Sequence, residues 1–70
     1  MRTLNQLFTK AKEVRKNNSL QVSYTMCLSF MLLSGSLVGS EVDKVEDYLM
    51  SKHFDINTAQ GLMEHNDIKI

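Results

Sequence analysis

The sequence predicts an all-α fold, a compact bundle of about four short helices with the helix near residues 19–33 central. Three observations carry that expectation. Apolar residues recur at the i, i+3, i+4, i+7 spacing of a helical face. No proline occurs among the 70 residues, so the strongest helix breaker is absent. Breaks at Asn17-Asn18, Ser34–Gly39 and Phe54–Ile56 leave stretches of ordinary helical length between them. Seventy residues hold one domain, and a chain of this size buries only about 60% of its unfolded surface. The core stock is good for that size: 43% of residues are apolar, with five Met, three Phe and two Tyr.

The first helix is expected from about Leu4 to Lys16, with Leu4, Leu7, Phe8, Ala11 and Val14 on one face. Thr3 and Gln6 have the spacing of a capping box, in which each side chain satisfies an unpaired amide of the first turn. Lys12, Arg15 and Lys16 fall in the last turns, where positive charge suits the helix dipole. Asn17-Asn18 supplies a stop, because asparagine tolerates the left-handed conformation.

The second helix is expected from about Ser19 to Leu33, with Asn18 and Gln21 as its capping pair. Leu20, Tyr24, Cys27, Leu28 and Met31 take one side. Val22, Met26, Phe30 and Leu33 cover much of the other. A helix apolar nearly all round belongs at the centre of a core. Its β-branched and aromatic residues also admit a buried hairpin.

Ser34-Gly35-Ser36 breaks the pattern, and Leu37-Val38-Gly39 reads as the rest of a flexible connection. Ser40 is expected to cap a third helix, about Glu41 to Lys52, with Val42, Val45, Tyr48 and Leu49 buried. Val38 is expected to pack on Val42 or Val45 and set the angle of approach. Asn57 and Gln60 form a capping pair for a fourth helix, about Thr58 to His65, which buries Ala59, Leu62 and Met63. Gly61 within it implies close approach of another backbone. Ile68 and Ile70 are expected to fold back on the core.

From Ser19 to Ser40 there is no charged residue, and basic residues precede the run. That is the outline of a secretory signal or a membrane span. The densest part, Tyr24 to Leu33, is shorter than the roughly 20 residues a span needs, and polar residues interrupt it. A soluble core helix is therefore expected. Cys27, the single cysteine, excludes an internal disulfide and reads as a small buried hydrophobe. A chain without disulfides suits a reducing compartment, most simply the cytoplasm.

Net charge is zero but unevenly placed. Residues 1–20 carry Arg2, Lys10, Lys12, Arg15 and Lys16 against Glu13 alone, and residues 21–70 carry seven acids against Lys44, Lys52 and Lys69. Such polarity suits an anionic partner at one end. Asp43, Glu46 and Asp47 read as a solvated helix face. His53 and His65 stand on different expected helices with no cysteine near, so neither a metal nor a cofactor is expected. No phosphate loop or nucleophile–base pattern occurs, and the chain is not expected to be an enzyme.

Residues 41–70 resemble a helix-turn-helix in outline, with Thr58, Gln60 and Asn66 as base-reading types on the second helix. Glu64 and Asp67 on the same element oppose phosphate, which departs from that pattern. Leu49-Met50, Phe54-Asp55, Ala59 and Leu62-Met63 also resemble the first two helices of a ubiquitin-associated domain. Lys52-His53 stands where that family has a Met-Gly loop, and no binding residue carries over.

The expected function is that of a small non-enzymatic accessory or regulatory module acting by macromolecular binding. One expected partner is nucleic acid, met by Lys10, Lys12, Arg15 and Lys16 of the basic first helix, with Arg2 in reach. The alternative is a larger protein that the chain binds and modulates, or a second copy of itself. A third reading, a small membrane-associated peptide using residues 20–38, is the least expected. Short chains of this kind abound in compact genomes such as those of phages and plasmids.

Overall fold

The computed structural model describes residues 3–68, so Arg2 and Ile70 lie outside the described residues. The fold is all-helical: α1 (Leu4–Asn17), α2 (Tyr24–Ser34), α3 (Gly39–Ser51) and α4 (Ile56–His65). The hairpin alternative for the second segment does not form, since residues 24–34 are helical. As expected, α2 is central. Each of the other three helices packs on it, and α1 also touches α3.

The Thr3–Gln6 capping box opens α1 as the sequence predicts, with Gln6 N–H donating to Thr3 Oγ1 (3.2 Å) and Thr3 N–H to Gln6 Oε1 (2.8 Å). The other three helix starts differ from expectation, each for a local reason. Asn18 cannot begin α2, because its amide donates back to Val14 C=O (3.0 Å) and finishes α1 instead. Ser23 caps α2 by accepting from Met26 N–H (3.2 Å), so residues 20–23 are a connection and the helix starts five residues later than expected. Ser40 lies inside α3 rather than capping it. The helix begins after Val38, whose N–H donates to the Glu41 carboxylate (3.2 Å), so only the backward half of a capping box holds this end. Asp55, not Asn57, caps α4, accepting from Asn57 N–H (2.9 Å) and the Thr58 hydroxyl (3.0 Å).

Two further expectations are corrected. Val38 is 64% exposed and does not join the core; Leu37 is the buried residue of that connection. Gly61 does not mark a close approach, because a Cβ built there meets nothing within 4 Å.

The apolar faces assemble into two clusters. Leu7, Ala11 and Val14 of α1 meet Cys27, Leu28 and Met31 of α2 and Val45 and Leu49 of α3, with Leu37 closing one end. Phe30, on another side of α2, meets Ala59 of α4 and Ile68, which does fold back. This explains why α2 is apolar all round: it divides one cluster from the other. Its one buried hydroxyl, on Ser29, is satisfied within the helix by donating to Met26 C=O (2.6 Å). An edge-on contact between Phe8 and Tyr48 (centroids 5.1 Å apart, planes at 84°) fastens α1 to α3. The Tyr48 and Thr25 hydroxyls share a hydrogen bond of 3.2 Å between α3 and α2.

Candidate interaction surfaces

The basic cluster of α1 divides into three parts. Lys12 and Lys16 are exposed and stand one turn apart, so they share a side of the helix. Lys10 projects about 160° around the axis from Lys12, at roughly 100° per residue. It lies on the polar face with Gln6, Thr9 and Glu13, which line one open surface depression. Arg15 turns inward. Its guanidinium carbon sits 4.4 Å from the centroid of the Tyr24 ring, Nη2 donates to Tyr24 Oη (3.3 Å) and Nη1 to Val22 C=O (3.3 Å). Arg15 therefore ties the 20–23 connection to α1, and only Lys12 and Lys16 are brought together as neighbouring free-standing cations.

A second surface arises because α3 and α4 each rest on α2 and do not pack on each other. Their connection explains the separation. His53 adopts a left-handed backbone (φ 52°), Phe54 turns back toward the core, and the Asp55 cap starts α4 in a new direction. The space between is a cleft of about 370 Å³ lined by Leu32, Glu46, Leu49, Met50, Phe54 and Ile56. Met50 is 74% exposed, the most exposed large apolar side chain among the described residues. It completes a stripe with Asp43, Glu46 and Asp47 at i, i+3, i+4, i+7 spacing, all four exposed on one face of α3. The cleft is thus apolar but for Glu46, and it adjoins an exposed side of α3 that also carries Asp43 and Asp47.

This geometry also bears on the helix-turn-helix resemblance. A helix-turn-helix packs its two helices across one another at a short turn, whereas here α3 and α4 do not pack on each other. The acids read as a solvated face are indeed exposed, and their setting beside an apolar cleft was not visible in the sequence. A signal existed, since Met50 falls on an otherwise acidic helical face. The Leu32 floor could not have been assigned without the fold.

Titratable groups add little chemistry. Burial raises the Cys27 thiol above its ordinary range, against a smaller lowering by the Arg15 charge, so it stays protonated and buried. The Asp55 carboxyl lies below its usual range because it accepts from the Thr58 hydroxyl and from the Asn57 amide. Among the described residues no three His, Cys, Asp or Glu side chains converge as a metal site would need. Nor is any described helix long and apolar enough to cross a membrane. At about 1.5 Å per residue α2 spans about 16 Å, half of a hydrocarbon core of about 30 Å. Comparison with protein families, curated proteins and solved structures gives no match.

Proposed function

We propose that this chain is a small, non-enzymatic accessory or regulatory module that acts in the cytoplasm by binding a larger protein. The observation that carries this reading is the apolar cleft between α3 and α4 with Met50 exposed at its lip. Exposing a large apolar side chain beside an unfilled apolar cleft forgoes burial that a domain this small needs for stability. A partner that covers both recovers it. Methionine suits such a surface, because its unbranched, polarisable side chain adapts to different shapes. The lone buried thiol is compatible with a reducing compartment.

The test is capture of partners by tagged full-length chain from its native cytoplasm, with and without nuclease, beside the variant Met50→Glu. The expected result is a protein partner that survives nuclease and is lost with Met50→Glu. Loss of every partner on nuclease treatment would instead favour the second reading, nucleic acid, which rests on Lys12 and Lys16 standing exposed one turn apart with Lys10 and Arg15 on the same helix. With two neighbouring cations, affinity for duplex DNA should fall with salt on a log–log plot with a slope of about −2. It should be weak and indifferent to sequence. Lys12→Glu with Lys16→Glu should abolish it, and Arg15→Glu should unsettle the fold as well. Capture of the chain by itself alone would point to a homo-oligomer.

A further inference from the structure

We infer that the α3–α4 cleft receives a basic amphipathic helix of the partner protein. The inference rests on the protein-binding reading and names the chemistry of the occupant. The cleft runs between two helices and offers no open sheet edge, so an extended peptide would find no backbone ladder to join. An amphipathic helix needs none, because its own amides are already paired. Such a helix would lay anchors at i, i+3 or i+4 and i+7 onto Leu32, Leu49, Phe54 and Ile56, with Met50 folding over one of them. The volume of about 370 Å³ is enough to bury a few large side chains and no more.

Charge selects among amphipathic helices. Glu46 lines the cleft, Asp43 and Asp47 share its exposed side of α3, and Asp55 stands exposed at the start of α4. Of the nearby cations, Lys52 lies over the Tyr48 ring with Nζ 5.6 Å from its centroid. A partner with Lys or Arg flanking its apolar stripe meets opposite charge along its length. An acidic helix meets repulsion. The same argument sets aside a second copy of this chain docked symmetrically through this face, since a two-fold contact would oppose the acidic stripe to itself.

The experiment uses the full isotope-labelled chain titrated with a synthetic Leu/Lys amphipathic helix of about 14 residues, followed by amide shifts. The control is the same peptide with Glu for every Lys. The expected result is saturable shifts centred on Leu32, Glu46, Leu49, Met50, Phe54 and Ile56, with the Lys peptide at least about tenfold tighter than the Glu peptide. Glu46→Lys with Asp47→Lys should reverse that preference. Met50→Ala should weaken the Lys peptide several-fold without changing the thermal transition. Equal affinity for both peptides would overturn the basic assignment while leaving a protein-binding cleft. Shifts confined to α1, or no saturation by about 1 mM, would overturn the cleft as the docking site. Partner capture needs neither peptide, so it reports separately on whether the chain binds proteins at all.

Discussion

Arg15 belongs by sequence to the basic stretch of the first helix and by contact to the core. Its position at the edge of the apolar stripe was legible, because helical spacing places it next to Ala11 and Phe8. Its partners were not. Tyr24 and Val22 reach it only because Asn18 and Ser19 turn the chain back, and no local pattern encodes that return. Arg15→Ala should therefore destabilise the domain by about 1–2 kcal/mol in urea unfolding, since a half-buried cation–π contact and two hydrogen bonds are lost together. Arg15→Lys should restore only part of this, because an ammonium cannot stack on the ring and donate to two acceptors in the guanidinium's planar arrangement. Full recovery by lysine would reduce Arg15 to a surface charge. The contrast between inside and outside is sharper at Leu28 and Glu46. Leu28→Ala should cost about 2–5 kcal/mol, whereas Glu46→Ala should leave the unfolding midpoint nearly unchanged because its side chain is exposed. Near-equal midpoints for the two would contradict the burial pattern.

At the scale of elements, all four helices end alike. Ser19, Gly35, His53 and Asp67 each adopt a left-handed backbone, with φ of 53°, 75°, 52° and 51°. The next residue's N–H then bonds five residues back: Leu20 to Arg15, Ser36 to Met31, Phe54 to Leu49 and Ile68 to Met63. These are Schellman stops, and at three of them the returning residue is an apolar one that packs inward. Helix existence and count were legible from apolar spacing; the ends were less so, because only one of the four left-handed residues is glycine. His53→Gly should raise stability by roughly 0.5–1 kcal/mol by relieving a conformation that costs a Cβ-bearing residue. Gly61→Ala should add up to about 1 kcal/mol, since it lies inside α4 with open space around it. A loss of stability in Gly61→Ala would mean that something outside this chain approaches it. The start of α4 carries a pH signature. The Asp55 carboxyl is depressed chiefly by the Thr58 hydroxyl, so its contribution is present above the unfolded value, about pH 4, and is lost as pH falls through the folded one. Helicity of α4, followed by the amide shifts of residues 56–65, should therefore decline on acidification. Asp55→Asn keeps an acceptor without a titration and should flatten that part of the profile.

The whole molecule has a Cα radius of gyration of 11.0 Å, close to the roughly 11 Å expected of a compact chain this long. The all-helical class and the central place of α2 were legible, because a helix apolar on every side must be covered on every side. The division into two clusters was not, since residues 4 and 68 carry the same kind of apolar pattern and nothing in it says which face of α2 each will meet. That division has a dynamic consequence. The α4 helix packs on α2 mainly through a cluster whose buried members are Phe30, Ala59 and Ile68, with Ile56 at its start resting against the larger cluster. The larger cluster joins α1, α2 and α3 and can persist without it. Local openings follow such boundaries, so α4 should detach as a unit at a free energy below that of global unfolding. Native-state hydrogen exchange distinguishes this from a single cooperative domain. Amides of α4 should exchange faster than those of α2. Val45→Ala, which removes about 2 kcal/mol from the larger cluster, should speed exchange in α2 and leave α4 nearly unchanged, because that cluster is intact in both the native and the α4-detached states. Ile68→Ala should speed both, because it weakens the native state relative to every state in which α4 is undocked. Were Val45→Ala to accelerate α4 and α2 by the same factor, the two clusters would be one core, and the cleft between α3 and α4 would have a rigid wall on both sides rather than one that can yield to a partner.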